Sequence, residues 1–337
     1  MTWPQAGGDF RLGDLAVERG GTIAGAHILW QTHGTLNSAR DNVILYPCSY
    51  TAQHPDMAWL IGPDAILDPT RWFIVIPNMF SNGLSSGAAE TPDYPAIVTS
   101  RDMVLAQRRL LQEQFGIDHL AAVYGFSMGA QQAYHWAALF PDAVERAIVV
   151  CGSARTAVHN KVFLSGLLRT LEAAPEHIGG GRFSAEPRAA LRAFAHIYAG
   201  WALSQDFYRA DLHRTALGAP DLDTFLRTDW EDRYLARRAA NLYAQLVTWY
   251  HGDISADPRY EGDLVRALQG IRARMLLMPG RTDLYFPVAD NAAEIAHLAT
   301  AELRPIPSIW GHRAGNPNVS REDFLFLRGA VRDWLER

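Results

Sequence analysis

Short apolar segments, four to six residues long and bounded by turn residues, recur along the chain. They show little alternation of apolar and polar positions, which is typical of strands covered on both faces and hence of a parallel sheet. Stretches with helical spacing of apolar residues, such as 100–115 and 129–139, lie between them. Alternating strands and helices predict an α/β architecture. The clearest strand-like segments are 42–47, 72–77, 121–124, 147–151 and 274–278.

This alternation is interrupted in the middle of the chain. From about residue 155 to 262 no buried-strand pattern occurs, whereas 187–203 and 234–250 carry apolar residues at the spacing of amphipathic helices. Strand and helix patterns resume near Ile271 and continue to the end. The pattern therefore predicts a helical insert within an α/β domain.

We place the domain boundaries accordingly. Residues 1–155 and 266–337 are predicted to form the core, with a mostly parallel central sheet flanked by helices. Residues 156–265 are predicted to form an inserted helical lid. Residues 15–30 alternate weakly, which favours an antiparallel hairpin at the start of the sheet.

Composition excludes several classes of protein. The chain has 337 residues, 48% of them hydrophobic, which is enough for a large core without metals or disulfides. Lys and Arg number 31 against 36 for Asp and Glu, so the net charge of −5 offers no basic surface for nucleic acid. No apolar run reaches the ~18 residues of a membrane span. The start of the chain lacks a signal-peptide pattern, so we expect a cytoplasmic protein.

The cysteines and histidines do not suggest a metal site. Cys48 and Cys151 each lie in a strand-like apolar segment, which favours two buried reduced thiols, with a disulfide as the alternative. No pair of His or Cys residues has the spacing of zinc ligands, so we expect no metal and no cofactor.

The most informative motif is Gly-Phe-Ser-Met-Gly at 125–129, between a predicted strand and a predicted helix. A nucleophile elbow requires this context, because the sharp turn exposes the serine hydroxyl above the sheet. The helix start adds partial positive charge. We therefore predict Ser127 as a nucleophile, the alternative being an ordinary structural turn.

A serine nucleophile needs a base, and the base needs a carboxylate to orient it. Nucleophile elbows of this kind are followed along the chain by Asp or Glu and then His. Asp283 follows the segment 274–278, and His312 follows a predicted strand near 302–306. Singly, each fits an ordinary turn or loop residue equally well. In this order, they predict a catalytic triad with Ser127.

The elbow also predicts where an oxyanion would bind. The backbone N–H of Met128 is one candidate donor, and the loop after the 42–47 segment should supply the second. We expect the N–H of Ser49 in that loop, although Ser49 also fits a plain loop residue. Tyr50, next to it, is a candidate substrate-binding residue.

At this point the chain resembles the homoserine O-acetyltransferase group of α/β-hydrolases over nearly its whole length. The resemblance implies the α/β-hydrolase fold, a helical lid, and a homodimer formed through the lids. It also implies the triad Ser127, Asp283 and His312. The segments that carry it are G-T-L-N at 34–37, G-F-S-M-G at 125–129, Ala154-Arg155 with Asn160 and Phe163, T-D-L-Y-F-P at 282–287, and G-H at 311–312.

The chain departs from this group at the positions that bind homoserine. Arg313 stands where the group has an aspartate for the substrate ammonium, and this reversal of charge would repel an ammonium. Leu168 aligns with the arginine that binds the carboxylate; Arg169, one residue on, is turned by about 100° around a helix. The glycine-rich stretch of the group is replaced at 78–86. We therefore predict loss of homoserine recognition, with Arg313 as a candidate contact for an anionic substrate.

These observations favour a serine hydrolase that cleaves small acetyl or short-chain esters through an acyl-enzyme. The alternative is an O-acetyltransferase that uses acetyl-CoA as co-substrate and an alcohol other than homoserine as acceptor. A third hypothesis, a binding protein without activity, conflicts with an intact set of triad residues. The predicted partner is a small-molecule ester, with neither nucleic acid nor membrane.

Overall fold

The computed structural model describes residues 2–337 and is built around an eight-stranded sheet. Its strands are β1 Gln5–Ala16, β2 Thr22–His33, β3 Val43–Leu45, β4 Phe73–Pro77, β5 Ala122–Phe126, β6 Arg146–Val150, β7 Arg274–Met278 and β8 Ala301–Leu303. The spatial order is β1-β2-β4-β3-β5-β6-β7-β8. β1, β2 and β4 pair antiparallel, and all pairs from β4 to β8 are parallel. The structure confirms the predicted sheet and the hairpin at its start.

Helices cover both faces of this sheet. The predicted helix over 100–115 is α-helical only to residue 109 and continues as a π-helical turn over Leu110–Gln114. In chain order the helices are α1 Ser100–Arg109, α2 Met128–Leu139, α3 Val158–Glu172, α4 Arg188–Ala202, α5 Gln205–Arg209, α6 Leu212–Thr215, α7 Leu222–Phe225, α8 Asp232–Leu235, α9 Ala239–Tyr250, α10 Leu264–Gln269, α11 Val288–Ile295 and α12 Arg321–Glu336.

The central strands are apolar throughout because both of their faces are buried. In β6, Ile148 and Val150 pack into one apolar cluster, while Ala147 and Val149 pack into the cluster on the opposite face. Adjacent residues of a strand point to opposite faces, so each must be apolar when helices cover both. This explains why the strand segments show no alternation in the sequence.

The helices α3 to α10 lie between β6 and β7, where the sequence predicts the insert. The second predicted insert helix is divided into α8 and α9, separated by residues 236–238. The predicted boundary at 265/266 falls within α10. The assignment of these helices as a lid domain stays a prediction; we call residues 156–265 the helical insert.

Two further features follow from the described residues. Cys48 and Cys151 are both buried and free, so the interpretation as reduced thiols is confirmed and the disulfide alternative is wrong. Within residues 2–337, no helix combines the length and apolar character needed to cross a bilayer.

Candidate active site

Parallel strands bring the predicted site residues to one edge of the sheet. Ser127 follows β5, Asp283 follows β7 and His312 follows β8, while Ser49 lies in the loop after β3. The carboxyl ends of parallel strands lie at the same edge, which is where open α/β sheets carry their sites.

The elbow places Ser127 in a strained conformation between β5 and α2. Its φ of 57° and ψ of −125° lie outside the regions that residues with a side chain readily adopt. Glycine is required on both sides. A Cβ on Gly125 would lie 2.2 Å from the Gly129 carbonyl oxygen, and a Cβ on Gly129 would lie 2.5 Å from that of Pro47. The two glycines of the motif therefore let the chain fold tightly around the serine.

The three predicted triad side chains are hydrogen-bonded in series. His312 Nε2 lies 2.8 Å from Ser127 Oγ, and His312 Nδ1 lies 2.7 Å from Asp283 Oδ2. All three residues are buried. This geometry allows the imidazole to accept the serine proton while the carboxylate stabilises the resulting positive charge.

Backbone donors fix the orientation of Asp283. Its Oδ1 accepts hydrogen bonds from the N–H groups of Tyr285 at 2.8 Å and Phe286 at 3.3 Å, which leaves Oδ2 for the imidazole. A carboxylate accepts only, so Nδ1 of His312 must carry the proton in this bond. In the neutral imidazole, Nε2 is then the nitrogen without a proton, and it can accept from Ser127 Oγ.

Aromatic rings surround the imidazole of His312. The rings of Phe126 and Tyr285 have centroids 4.8 Å from it, and that of Phe286 lies 5.7 Å away. These contacts hold the imidazole in one orientation and exclude water from its faces. Sequence reasoning assigned no role to these residues, although all three lie within the two motifs that it identified.

Met128 and the loop after β3 stand where oxyanion donors are expected. Met128 is the first residue of α2, so its N–H has no acceptor within the helix. The loop lies against the elbow, as the close approach of Gly129 to Pro47 shows. The oxyanion roles of Met128 and Ser49 stay predictions.

Tyr50 lies between the core and the helical insert. Its hydroxyl donates to the Leu242 carbonyl oxygen at 3.4 Å, and its ring stacks on Tyr198 with centroids 5.8 Å apart. Burial raises the pKa of the Tyr50 hydroxyl well above its usual value. Substrate contact by Tyr50 stays a prediction.

Arg313 does not present an unpaired positive charge. Its guanidinium donates to Asp229 Oδ2 at 3.2 and 3.3 Å and lies 4.8 Å from the centroid of the Trp230 ring. The expectation of a local positive charge neglected Asp229, which is distant in sequence. The pair joins the loop of His312 to the insert, and substrate contact by Arg313 stays a prediction.

The homoserine O-acetyltransferase group has a carboxylate-binding arginine at the position aligned with Leu168. The insert has no replacement for it at this position. Leu168 is partly buried and packs against the apolar core. Arg169 is exposed and forms an ion pair with Glu172 on the same helix. The helical rotation between neighbouring residues therefore turns Arg169 outward, as the sequence predicts.

One group of potential metal ligands coincides with the triad. Single donor atoms of Cys151, Asp283 and His312 lie within 4.8 Å of one another. The Asp283 and His312 atoms are only 2.7 Å apart, a hydrogen-bond distance, whereas two zinc ligands in tetrahedral geometry are about 3.3 Å apart. Burial and the charge of Asp283 raise the pKa of the Cys151 thiol. This donor set fits a proton-transfer pair better than a metal centre.

Comparison with known proteins agrees with this geometry. Residues 57–312 match the family model described as alpha/beta hydrolase fold. A probable esterase of Corynebacterium glutamicum is 37% identical, with 92% of this chain and 90% of the relative aligned. The ethyl acetate hydrolase of Pseudomonas veronii is 35% identical, over 89% and 87% of the two chains.

A solved structure and more distant relatives extend the comparison. The crystal structure of an acetylester hydrolase from Corynebacterium glutamicum superimposes with a TM-score of 0.92 at 35% identity, covering 99% of this chain and 96% of that one. The homoserine O-acetyltransferase of Acidiphilium cryptum is 29% identical, over 94% and 93% of the two chains. Ester hydrolysis and O-acetyl transfer, the two activities that the sequence suggested, thus both occur among proteins similar to this chain.

Proposed function

The chain belongs to the alpha/beta hydrolase family, and on that premise we propose that it hydrolyses acetyl and other short-chain carboxylic esters through an acyl-enzyme on Ser127. The observation that carries the proposal is the series of hydrogen bonds from Ser127 through His312 to Asp283, at 2.8 and 2.7 Å. The similarity to an ethyl acetate hydrolase and an acetylester hydrolase supports the acyl length.

In the first half-reaction Ser127 Oγ attacks the acyl carbonyl carbon, and its proton moves to His312 Nε2. The N–H groups of Met128 and Ser49 donate to the oxygen that becomes negative. As this intermediate collapses, the C–O bond to the alcohol breaks and His312 returns the proton to the leaving oxygen. The alcohol departs and Ser127 carries the acyl group.

In the second half-reaction water replaces the alcohol. His312 removes a proton from the water as the water oxygen attacks the acyl carbonyl carbon. The bond to Ser127 Oγ then breaks, the proton passes to that oxygen, and the carboxylic acid is released. Asp283 keeps Nδ1 protonated throughout, so the imidazole can alternate between base and acid.

The surroundings of the serine support a short acyl group. Ser127 is only 3% exposed, and Phe126 and Tyr285 pack on the imidazole beside it. Close packing around the serine leaves less room for a long acyl chain than for an acetyl group. We expect kcat/KM to fall steeply from acetate to octanoate esters.

Transfer to an alcohol is the second candidate, because a homoserine O-acetyltransferase is among the relatives. The two reactions share the acyl-enzyme and differ only in its acceptor. The homoserine contacts are replaced by Leu168 and by Arg313, which is paired with Asp229. This favours water, or an alcohol without an amino-acid group, as acceptor. Neither route requires a metal or a bound cofactor.

The test is steady-state and burst kinetics with an aryl acetate. The wild-type protein should show a burst of phenol equal to the enzyme concentration, and Ser127→Ala should remove both burst and turnover. Turnover of Ser127→Ala at the wild-type rate would reject the proposal. Candidate alcohols are then added to this assay and to a parallel assay with acetyl-CoA as donor. Release of acetate indicates hydrolysis, whereas an acetyl ester of the added alcohol indicates transfer.

We also propose a homodimer through the helical insert, based on the family resemblance. On α3, Val158 and Val162 are one turn apart and 81% and 63% exposed, so the helix presents two neighbouring apolar side chains to solvent. Light scattering of the wild type should give the mass of two chains. Val162→Arg should shift the mass towards one chain.

A further inference from the structure

A chain of buried amides reaches the proposed oxyanion site from the core. Gln132 on α2 is 1% exposed, and its Nε2 donates to the carbonyl oxygen of Cys48 at 3.0 Å and that of Met128 at 3.3 Å. Its Oε1 accepts from Gln107 Nε2 at 2.6 Å. Gln107 Oε1 in turn accepts from Trp136 Nε1 at 2.8 Å. Gln132 therefore contacts Met128 and the carbonyl of the Cys48–Ser49 peptide, whose N–H group belongs to Ser49.

The hydrogen bonds in this series of side chains can run in only one direction from donor to acceptor. An indole N–H can only donate, so Gln107 must present its oxygen to Trp136 and its NH₂ to Gln132. Gln132 must then present its oxygen to Gln107 and its NH₂ to Cys48, whose carbonyl oxygen can only accept. Reversing either amide would leave buried polar groups without partners, at a cost of about 1–3 kcal/mol each.

The contact with Cys48 fixes the orientation of the Ser49 N–H. The carbonyl of Cys48 and the N–H of Ser49 belong to one peptide unit, and this peptide is trans. In a trans peptide the two groups point in opposite directions. Holding the carbonyl against the buried Gln132 therefore turns the N–H of Ser49 away from the core. Ser49 is partly exposed, unlike Gln132.

The same loop is also held from its other end. The N–H of Thr51 donates to Gln245 Oε1 of α9 at 2.9 Å, and Ala52 N–H donates to the Ser49 carbonyl oxygen at 3.0 Å. Thr51 has a positive φ of 60°, which a residue with a side chain adopts only when its surroundings hold it there. The loop is thus constrained on both sides of Ser49.

We propose that Gln132 is a positioning residue for the oxyanion site, kept in one orientation by Gln107 and Trp136. It fixes the Cys48–Ser49 peptide so that the Ser49 N–H is directed to the oxyanion before substrate binds. This inference rests on the proposed ester hydrolysis. An oriented N–H stabilises the transition state without reorganisation, so its effect appears in kcat and not in substrate binding.

The test compares Gln132→Met with Gln131→Met. Gln131 is a buried glutamine on the same helix, but its Nε2 donates to Thr156 Oγ1 at 2.9 Å, away from the loop. For Gln132→Met we expect kcat with an aryl acetate to fall about 10- to 100-fold, below the ~10²–10³ of complete donor loss, with little change in KM. Gln131→Met should keep kcat near the wild-type value.

A reversible inhibitor distinguishes positioning from a general loss of structure. Ser127 Oγ adds to the carbonyl carbon of 1,1,1-trifluoroacetone while its proton passes to His312 Nε2, and the former carbonyl oxygen becomes an oxyanion in the same site. Its Ki should rise in Gln132→Met by the factor by which kcat/KM falls, and stay unchanged in Gln131→Met. If Gln132→Met does not fold, Gln107→Met serves instead. It frees the Gln132 amide to rotate, and a smaller parallel change in kcat and Ki is expected.

The outcomes separate the two proposals. If the wild type does not hydrolyse the acetate, or Ser127→Ala is equally active, the proposed function fails. If the wild type is active but Gln132→Met, or Gln107→Met in its place, leaves kcat and Ki unchanged, the role of Gln132 is rejected. It is also rejected if Gln131→Met lowers kcat as strongly.

Discussion

Replacing Asp283 by asparagine tests the proton path most directly, because the structure leaves the amide little choice of orientation. Two backbone N–H groups, from Tyr285 and Phe286, donate to Oδ1 of Asp283. In Asp283→Asn the carbonyl oxygen must remain there to accept them. The NH₂ group then faces His312 Nδ1, which has to become an acceptor. The imidazole proton moves to Nε2, and Nε2 can no longer accept the Ser127 proton.

The expected loss in kcat follows from the free energy needed to turn the amide of the Asp283→Asn variant, which would restore the imidazole proton to Nδ1. Turning the amide around would leave the two N–H groups unsatisfied, at about 1–3 kcal/mol each, or roughly 2–6 kcal/mol together. At 1.36 kcal/mol for each factor of ten, kcat should fall by roughly 30- to 26,000-fold. A triad carboxylate replaced by its amide in another serine hydrolase lowers kcat by about 10⁴, at the upper end of this range.

The assay is steady-state hydrolysis of an aryl acetate, with kcat and KM determined separately and folding checked by urea unfolding. KM should change little, because Asp283 hydrogen-bonds to the imidazole and to backbone N–H groups of its own loop and is itself buried. Asp323→Asn is the matched control. Asp323 is a buried carboxylate that accepts from Ser308 Oγ at 2.6 Å, and an asparagine can still accept there. A loss below tenfold in Asp283→Asn, with the protein folded, would refute the assigned tautomer and proton path.

Three further changes test other parts of the structure. Gly129→Ala puts a Cβ 2.5 Å from a backbone carbonyl oxygen of the loop after β3, so we expect a loss of about 1–3 kcal/mol in unfolding free energy and more than tenfold in kcat. Gly166→Ala, in open space on α3, should instead stabilise by about 0.5–1 kcal/mol in the same urea assay. Burial raises the pKa of Glu294 from 4.5 to about 7, so the folded state binds this proton more tightly than the unfolded state does. The unfolding free energy should therefore fall as pH rises from 4.5 to 7, by up to about 3 kcal/mol, and Glu294→Gln should remove this part of the slope between pH 5 and pH 8. Asp229→Asn should uncover the charge of Arg313 and raise kcat/KM for a carboxylate-bearing ester relative to a neutral one, and an unchanged ratio would argue against any contact between Arg313 and substrate.

Local chemistry explains why much of the site could be predicted from the sequence. A serine with a glycine two residues before and two residues after it, between a strand and a helix, is typical of a sharp turn that exposes the serine. A carboxylate and a histidine that follow later parallel strands must reach the same edge of the sheet. Ser127, Asp283 and His312 are brought together for these reasons, within hydrogen-bonding distance.

Contacts between residues distant in sequence could not be predicted in this way. The charge of Arg313 was identified correctly, but its partner Asp229 lies 84 residues away in the insert. Gln132 and Gln107 look like ordinary polar residues on helices, and nothing local indicates that they form a directed chain to the Cys48 carbonyl oxygen.

The sequence by itself therefore determined the parallel sheet, the elbow and the placement of Ser127, Asp283 and His312 at one edge of the sheet, because each depends on local conformation or on the common direction of parallel strands. Only the tertiary structure decided which charges are neutralised, which rings enclose His312 and which side chain holds the Cys48 carbonyl oxygen. Those properties depend on distances of a few ångströms between side chains from separate segments, and apolar patterning along a chain does not encode such distances.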